Sequence, residues 1–202
     1  MERVTIFIDG SNFYHGLKAN NCPTRIDFYK LSKLLTGQQR SLIRTYYYNA
    51  AYNQSDDPPE YASQLSFLTK LRKTSYLAVK LGRLEKRITK IDQEILRQEL
   101  GDKLTKKFIK IFREKVTNYI EKGVDIAIAS DMLKFAYSDS YDTAMLISGD
   151  GDFVSALEGV QNLGKHVENA YFNKGHSIYL RETCDRFISL TSNSIKKCLH
   201  TK

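Results

Sequence analysis

The chain has 202 residues and carries 31 lysines and arginines against 23 acidic residues, a formal net charge of +8 at pH 7. This length suits one well-cored domain, and the charge favours an acidic partner, with nucleic acid ahead of a membrane surface. The three cysteines and four histidines are scattered, so neither a disulfide framework nor a zinc site is indicated and a reducing cytoplasm is expected. No segment is long and apolar enough for a membrane span or a signal peptide.

The amino-terminal segment predicts a strand that runs directly into an acidic residue. Residues 4–8 are apolar and rich in β-branched side chains, and Asp9 separates them from a helical pattern over 13–19. Ser11 and Asn12 are better placed than Asp9 to cap this helix. We therefore expect Asp9 to be available for chemistry at the tip of the strand.

The next segment alternates helices and strands, which is the pattern of a mostly parallel α/β sheet. Asp27 is predicted to cap the first of these helices. The tyrosines at 46–48 are assigned to packing in the sheet, with stacking on nucleic-acid bases as the alternative. The predicted elements are a helix over 27–35, a strand over 42–48, a loop over 49–59, a helix over 61–71 and a strand over 76–81.

Residues 83–115 differ from the rest of the chain in charge, with eleven basic and six acidic residues. We predict two charged amphipathic helices here, and we expect the apolar stripe of the second to dock on the body of the domain. The stripes are Ile88, Ile91 and Ile95, and Leu104, Phe108, Ile111 and Phe112. Lysines that could hold a nucleic-acid backbone surround the second stripe: Lys103, Lys106, Lys107 and Lys110. The alternatives are a solvated helix face and a stripe that joins two copies into a homodimer.

A second acidic candidate begins the helix predicted over 125–137, after a short predicted strand over 116–120. Asp125 shares a face with apolar residues of that helix, although capping alone would also explain its position. Asp131 lies roughly 120° further round the helix at 3.6 residues per turn. A surface ion pair with Lys134 is its expected role.

The most informative stretch is 144–157, where an apolar strand ends at Ser148. Asp150 and Asp152 follow in the tight turn beyond its carboxyl end, the edge at which open α/β sheets bind ligands. One of them is expected to cap the next helix, over 153–163. Two neighbouring acids exceed what capping needs, and their repulsion favours a bound cation or proton. The acids also disfavour a dinucleotide site at the flanking glycines.

The end of the chain predicts a strand over 165–172, a closing helix over 177–184 and a short strand that ends near 190. The tail over 193–202 is polar and basic, and we expect it to be frayed.

Three or four carboxylates thus gather at one sheet edge. Oxygen ligands without histidine or cysteine select Mg²⁺ or Mn²⁺. Such an ion can lower the pKa of bound water and stabilise the charge that develops when a phosphodiester is attacked.

Four segments together resemble the NYN domain, in the LabA-like branch of the PIN-like nucleases: IFIDGSNFY, EKGVDIAIASDML, SGDGDFVSAL and LRETCDRFISL. The resemblance implies a three-layer α/β/α sandwich with a mostly parallel, Rossmann-like sheet over residues 1–192, with 83–115 as an insertion. It also implies a divalent-metal-dependent ribonuclease. Matched by motif, the acids are Asp9, Asp125, Asp150 and Asp152, the polar neighbours are Asn12 and Ser148, and the basic residue is Lys122. Asp131 matches the family pattern too.

Two other functions remain open beside a nuclease acting on single-stranded RNA. One is a non-catalytic RNA-binding or regulatory module that keeps the fold. The other is a phosphatase of the haloacid-dehalogenase type, which needs an acid two residues after Asp9, where this chain has Ser11.

Overall fold

A computed structural model describes residues 1–55, 57–90, 93–112 and 115–200. The strands are β1 (Arg3–Asp9), β2 (Ser41–Ala51), β3 (Leu77–Lys90), β4 (Lys115–Lys122), β5 (Thr143–Ile147), β6 (His166–Phe172) and β7 (Arg186–Leu190). The helices are α1 (Gly10–Ala19), α2 (Phe28–Thr36), α3 (Pro58–Arg72), α4 (Gln93–Phe112), α5 (Val124–Tyr137), α6 (Val154–Asn162), α7 (Ile178–Thr183) and α8 (Ser192–Lys196). In this part of the chain, no helix combines the length and the apolar character needed to cross a membrane.

The strands form one sheet in the order β4-β3-β2-β1-β5-β6-β7. The pairs β1–β2, β1–β5, β2–β3, β5–β6 and β6–β7 are all parallel. The prediction of an α/β fold with a mostly parallel sheet is therefore confirmed.

Strand β1 lies in the middle of the sheet and is buried on both faces. Ile6 and Ile8 belong to the main apolar cluster, together with Phe13 of α1 and Leu31 of α2. Phe7 points to the other face, because side chains alternate along a strand, and its ring stacks 6.3 Å from that of Phe135 in α5. Helices thus cover both faces of β1, as the predicted sandwich requires.

The described chain divides into two compact units, Met1–Arg83 with Gly123–Lys202, and Leu84–Lys122. In the second unit, α4 is interrupted at Gly101, whose φ of 72° is not helical. The buried hydroxyl of Thr105 donates to the carbonyl oxygens of Leu96 and Gly101, both at 2.9 Å, and so joins the two helical parts.

The structure corrects two predictions for this basic segment. Strand β3 continues to Lys90, so Ile88 lies in a strand and not in a helix; Ile91 lies outside the described residues. Leu104 and Ile111 are 55% and 63% exposed, so these two members of the second stripe are not buried as expected.

The prediction of a frayed tail is also wrong for residues 193–200. The side chains of Ile195 and Cys198 are buried in the main cluster. The amide of Asp27, which caps α2 as predicted, donates to the carbonyl oxygen of Cys198 at 2.7 Å. The tail is therefore packed against the start of α2.

We predict opposite effects on stability for two alanine substitutions at helical glycines. A Cβ at Gly16 would lie 2.6 Å from the hydroxyl oxygen of the buried Tyr171, whereas one at Gly159 would meet only the end of the flexible Leu133 side chain. Gly16→Ala should lower the free energy of unfolding by about 1–3 kcal/mol through overpacking. Gly159→Ala should leave it equal or raise it by up to about 1 kcal/mol through helix propensity. Urea unfolding measures both, and equal midpoints would contradict the close packing of α1 on β6.

Candidate active site

The carboxyl ends of β1 and β5 form the point where the strand order reverses. From β1 the chain continues to β2 on one side, and from β5 it continues to β6 on the other. Ile8 and Ile147 are paired in register, so Asp9 and Ser148 follow side by side. In open α/β sheets the crevice at such a switch point is where ligands bind.

Asp9 is 5% exposed. Its side chain is bonded both to the first turn of α1 and to the residue that follows β5. Its Oδ1 accepts a hydrogen bond from the amide of Asn12 at 3.0 Å, and its Oδ2 accepts one from the hydroxyl of Ser148 at 3.2 Å. Asp9 is thus the cap of α1, and the prediction that Ser11 or Asn12 caps it is wrong.

The turn after β5 is tied to the same residues. The hydroxyl oxygen of Ser148 accepts from the amide of Asp150 at 3.2 Å, and Oδ1 of Asn12 accepts from the amide of Gly149 at 2.9 Å. Oδ1 of Asp150 accepts from the amide of Asp152 at 3.0 Å, which caps the short 3-10 turn before α6. Asp150 therefore caps this turn and not the helix that was expected, because the capping position of α6 is held by Phe153 without a side-chain hydrogen bond.

Gly149 is explained by close packing at this turn. A Cβ at this position would lie 2.4 Å from the carbonyl oxygen of Gly175 and 2.4 Å from the ring of Tyr171. The glycine therefore serves contact between two loops, in agreement with the expectation that the Gly-x-Gly pattern is not a pyrophosphate cradle.

Asp125 lies in the first turn of α5 but does not cap it, because the capping position is held by Gly123 without a side-chain hydrogen bond. Partial burial of its carboxyl group is the main cause that raises the pKa of Asp125, followed by the negative charges of Asp150 and Asp152. The three carboxylates therefore interact electrostatically. An ionised set of like charges is stabilised by a cation.

Within the described ranges, no group of three or more histidine, cysteine, aspartate or glutamate side chains is placed so that it could hold a metal ion. The donor chemistry nevertheless fits a hard cation, since Asp9, Asp125, Asp150 and Asp152 offer only oxygen. Mg²⁺ commonly binds one or two protein carboxylates and keeps several waters.

Two residues that position the site were missed by the sequence analysis. The hydroxyl of Tyr171 donates to the carbonyl oxygen of Asn12 at 2.9 Å; burial, and then the charges of Asp9 and Asp150, raise its pKa to about 12. The side-chain amide of Asn169 donates to the carbonyl oxygen of Ser148 at 2.9 Å. The available signal was a pair of adjacent polar residues, Glu168 and Asn169, inside a buried strand.

Asp131 has different partners from those expected. Its Oδ2 accepts from the hydroxyl of Tyr48 at 2.7 Å and from Nζ of Lys80 at 2.5 Å, so the predicted pair with Lys134 is wrong. Burial, and then the bond to Asp131, raise the pKa of Tyr48. Tyr47 and Tyr48 are buried and Tyr46 stacks on Phe135, which confirms the assignment of these tyrosines to sheet packing.

The predicted basic residues belong to the second unit. Lys122 ends β4 and is half-buried, and four lysines are exposed on α4: Lys103, Lys106, Lys107 and Lys110.

Comparison with known proteins identifies a family. The family model described as NYN domain matches residues 3–191, whereas no curated protein matches the chain. Among solved structures, a protein of unknown function from Vibrio parahaemolyticus superimposes with a TM-score of 0.62 at 21% identity, over 94% of this chain and 93% of that one. This likeness shows a shared fold and carries no information about activity.

We predict that Asp150→Asn lowers the pKa of Asp125 towards its ordinary value. The amide introduced by this substitution keeps the oxygen that caps the 3-10 turn but removes a charge that raises this pKa. Because the pKa of Asp125 is raised in the folded chain, this group adds to the free energy of unfolding at a pH below its ordinary pKa. That contribution is lost as the pH rises through the raised pKa. With a smaller shift, Asp150→Asn should lose less stability than the parent between acid pH and pH 7.

Carboxyl ¹³C NMR titration of Asp125, with urea unfolding at each pH, measures both effects. Asp57→Asn is the matched control, because Asp57 also caps a helix through a side-chain oxygen, at α3. An unchanged Asp125 titration in Asp150→Asn would contradict the electrostatic coupling.

Proposed function

Because the chain belongs to the NYN domain family, in the PIN-like nuclease superfamily, we propose that it is a divalent-metal-dependent ribonuclease of the LabA-like branch that hydrolyses single-stranded RNA. The proposed domain is a three-layer α/β/α sandwich over residues 1–192 with a basic insertion at 83–115. The observation that carries the proposal is the hydrogen-bonded link from Asp9 through Ser148 to Asp150 at the switch point of the sheet. The thiols of Cys22, Cys184 and Cys198 are all free of disulfides, which suits the reducing cytoplasm.

The residues proposed to hold Mg²⁺ or Mn²⁺ are Asp9, Asp125 and Asp150, with Asp152 acting more weakly or through water. When bound, such an ion supplies an activated water and stabilises charge on the phosphodiester. The hydrogen bonds of Asp9 orient its carboxyl group. Asn12 and Ser148 hold this arrangement. Ser148 is fully buried, so of the two only the half-buried Asn12 is proposed to reach the substrate.

Binding of the RNA backbone is assigned to basic side chains. We propose that Lys122 and the four lysines of α4 neutralise phosphates, because the acidic edge by itself repels a polyanion. Such phosphate contacts position the RNA strand on the protein but do not recognise its base sequence.

A non-catalytic RNA-binding module is the second candidate. One observation favours it, namely that the described residues contain no preformed group of three metal ligands. An assay that measures RNA binding and RNA cleavage in the same sample distinguishes these two functions.

We predict that labelled single-stranded RNA is cleaved with Mn²⁺ and not with EDTA. Asp150→Asn should lower cleavage by at least about a hundredfold, because a metal ion contributes several kcal/mol to such reactions, and calorimetry should show that Mn²⁺ binding is abolished. Asp57→Asn, which changes the residue that caps α3, should match the parent in both assays. RNA binding without cleavage in Mn²⁺ would establish the binding module, and phosphorylated Asp9 would indicate a phosphatase.

We further predict that the four lysines of α4 determine the salt dependence of RNA binding. Changing Lys103, Lys106, Lys107 and Lys110 together to Gln should flatten the log–log salt slope by roughly 0.7 for each phosphate of a single strand that is no longer neutralised. Mn²⁺ affinity should not change. The matched control changes four other exposed lysines: Lys33, Lys70, Lys73 and Lys196. Equal slopes for the two quadruple variants would show that the α4 lysines serve only solubility or self-association.

A further inference from the structure

Two large apolar side chains next to the acidic turn are exposed to solvent. Ile178 and Tyr179 are adjacent in the first turn of α7 and are 63% and 72% exposed. Neighbouring exposed apolar residues of this size indicate a contact surface more often than scattered single ones do.

The first turn of α7 is fastened to the acidic turn. The amide of Ser177 donates to the carbonyl oxygen of Gly149 at 3.0 Å, and its hydroxyl oxygen caps α7 by accepting from the amide of Leu180. A Cβ at Gly151, between the two acids, would lie 2.8 Å from Oγ of Ser177. Ser177 therefore fixes α7 at the residues that flank Asp150.

The opposite side of α7 is anchored in the protein. Leu180 is fully buried, so Ile178 and Tyr179 project from a helix that is held at both its cap and its inner face. Side chains on a fixed turn lose less freedom when they bind than side chains on a mobile loop do. Tyr179 is thus a preorganised aromatic surface next to the candidate active site.

The segment that carries Tyr179 contains an aromatic ring and two basic residues. Lys174 precedes α7 and is exposed, and Arg181 follows in the helix with its guanidinium 5.0 Å from the ring centre of Phe187. Aromatic and basic residues together are the usual composition of a single-strand nucleic-acid contact. The two cations stand against the negative charges of Glu182 in α7 and of the adjacent acidic turn, so stacking and not charge attraction is the main interaction expected at Tyr179.

We propose that the first turn of α7 is a stacking platform for an unpaired nucleobase of the substrate, with Tyr179 stacking on the base and Ile178 packing at its side. This inference rests on the proposed function, and it supplies the reason for a single-stranded substrate. The bases of a duplex have both faces covered by their neighbours, so they offer no face to Tyr179. Selectivity for unpaired RNA then comes from this platform and not from the acidic residues.

The test measures binding in EDTA, so that cleavage plays no part. The probe is a labelled oligouridylate with one 2-aminopurine, whose fluorescence is quenched when the base stacks. Tyr179→Ala should weaken binding about tenfold, in line with the cost of removing one stacked base, and should abolish the quenching. Tyr179→Phe should keep both, because the ring remains. Tyr137→Ala removes another highly exposed tyrosine, at the end of α5, and should change neither.

Equal affinity and quenching in Tyr179→Ala and the parent would overturn the platform. So would a loss of self-association in Tyr179→Ala, measured by sedimentation, with unchanged RNA affinity, because the surface would then bind a second copy. The proposed function fails separately, if the parent binds and quenches the probe in EDTA yet cleaves no RNA in Mn²⁺.

Discussion

One buried hydroxyl group joins the two strands on which the candidate site is built. The Ser148 hydroxyl donates to Asp9 and accepts from the amide of Asp150, and Ser148 itself is fully buried. A carboxylate as deeply buried as Asp9 is costly unless it is hydrogen-bonded, with about 1–3 kcal/mol at stake for each unsatisfied group and more for a charged one. The serine thus provides a hydrogen-bond partner for a buried acid at the switch point of the sheet.

Most of the fold could be predicted from local patterns in the sequence. Short apolar runs identified the strands that carry Asp9 and Ser148, and helical spacing identified the helix that begins near Asp125, because those patterns reflect burial within each element. The strand order could not be read in this way. The reversal between β1 and β5, which brings Asp9 beside Ser148, depends on pairing between residues 139 positions apart.

Errors in the predicted site also arise where the contacts join residues that are distant in the sequence or where an element boundary was misplaced. Asp131 was assigned to a neighbour on its own helix, whereas its partners Tyr48 and Lys80 lie 83 and 51 positions away in the sequence. The cap of α1 was assigned to Ser11 or Asn12 and not to Asp9, because a loop was expected between the strand and the helix. In the structure β1 passes directly into α1, and composition does not reveal a strand-to-helix junction without a loop. The tail was expected to fray from its polarity, although Ile195 anchors it in the apolar cluster.

The pairing of β1 with β5 also has a consequence for synthesis of the chain. Ile8 meets Ile147 only after the ribosome has made nearly three quarters of the protein. At about 5–20 residues per second, the first acid waits roughly 7–30 seconds for the strand that completes its surroundings. A nascent chain that ends before Ser148 therefore lacks the assembled candidate site, and any activity of that site begins only late in synthesis.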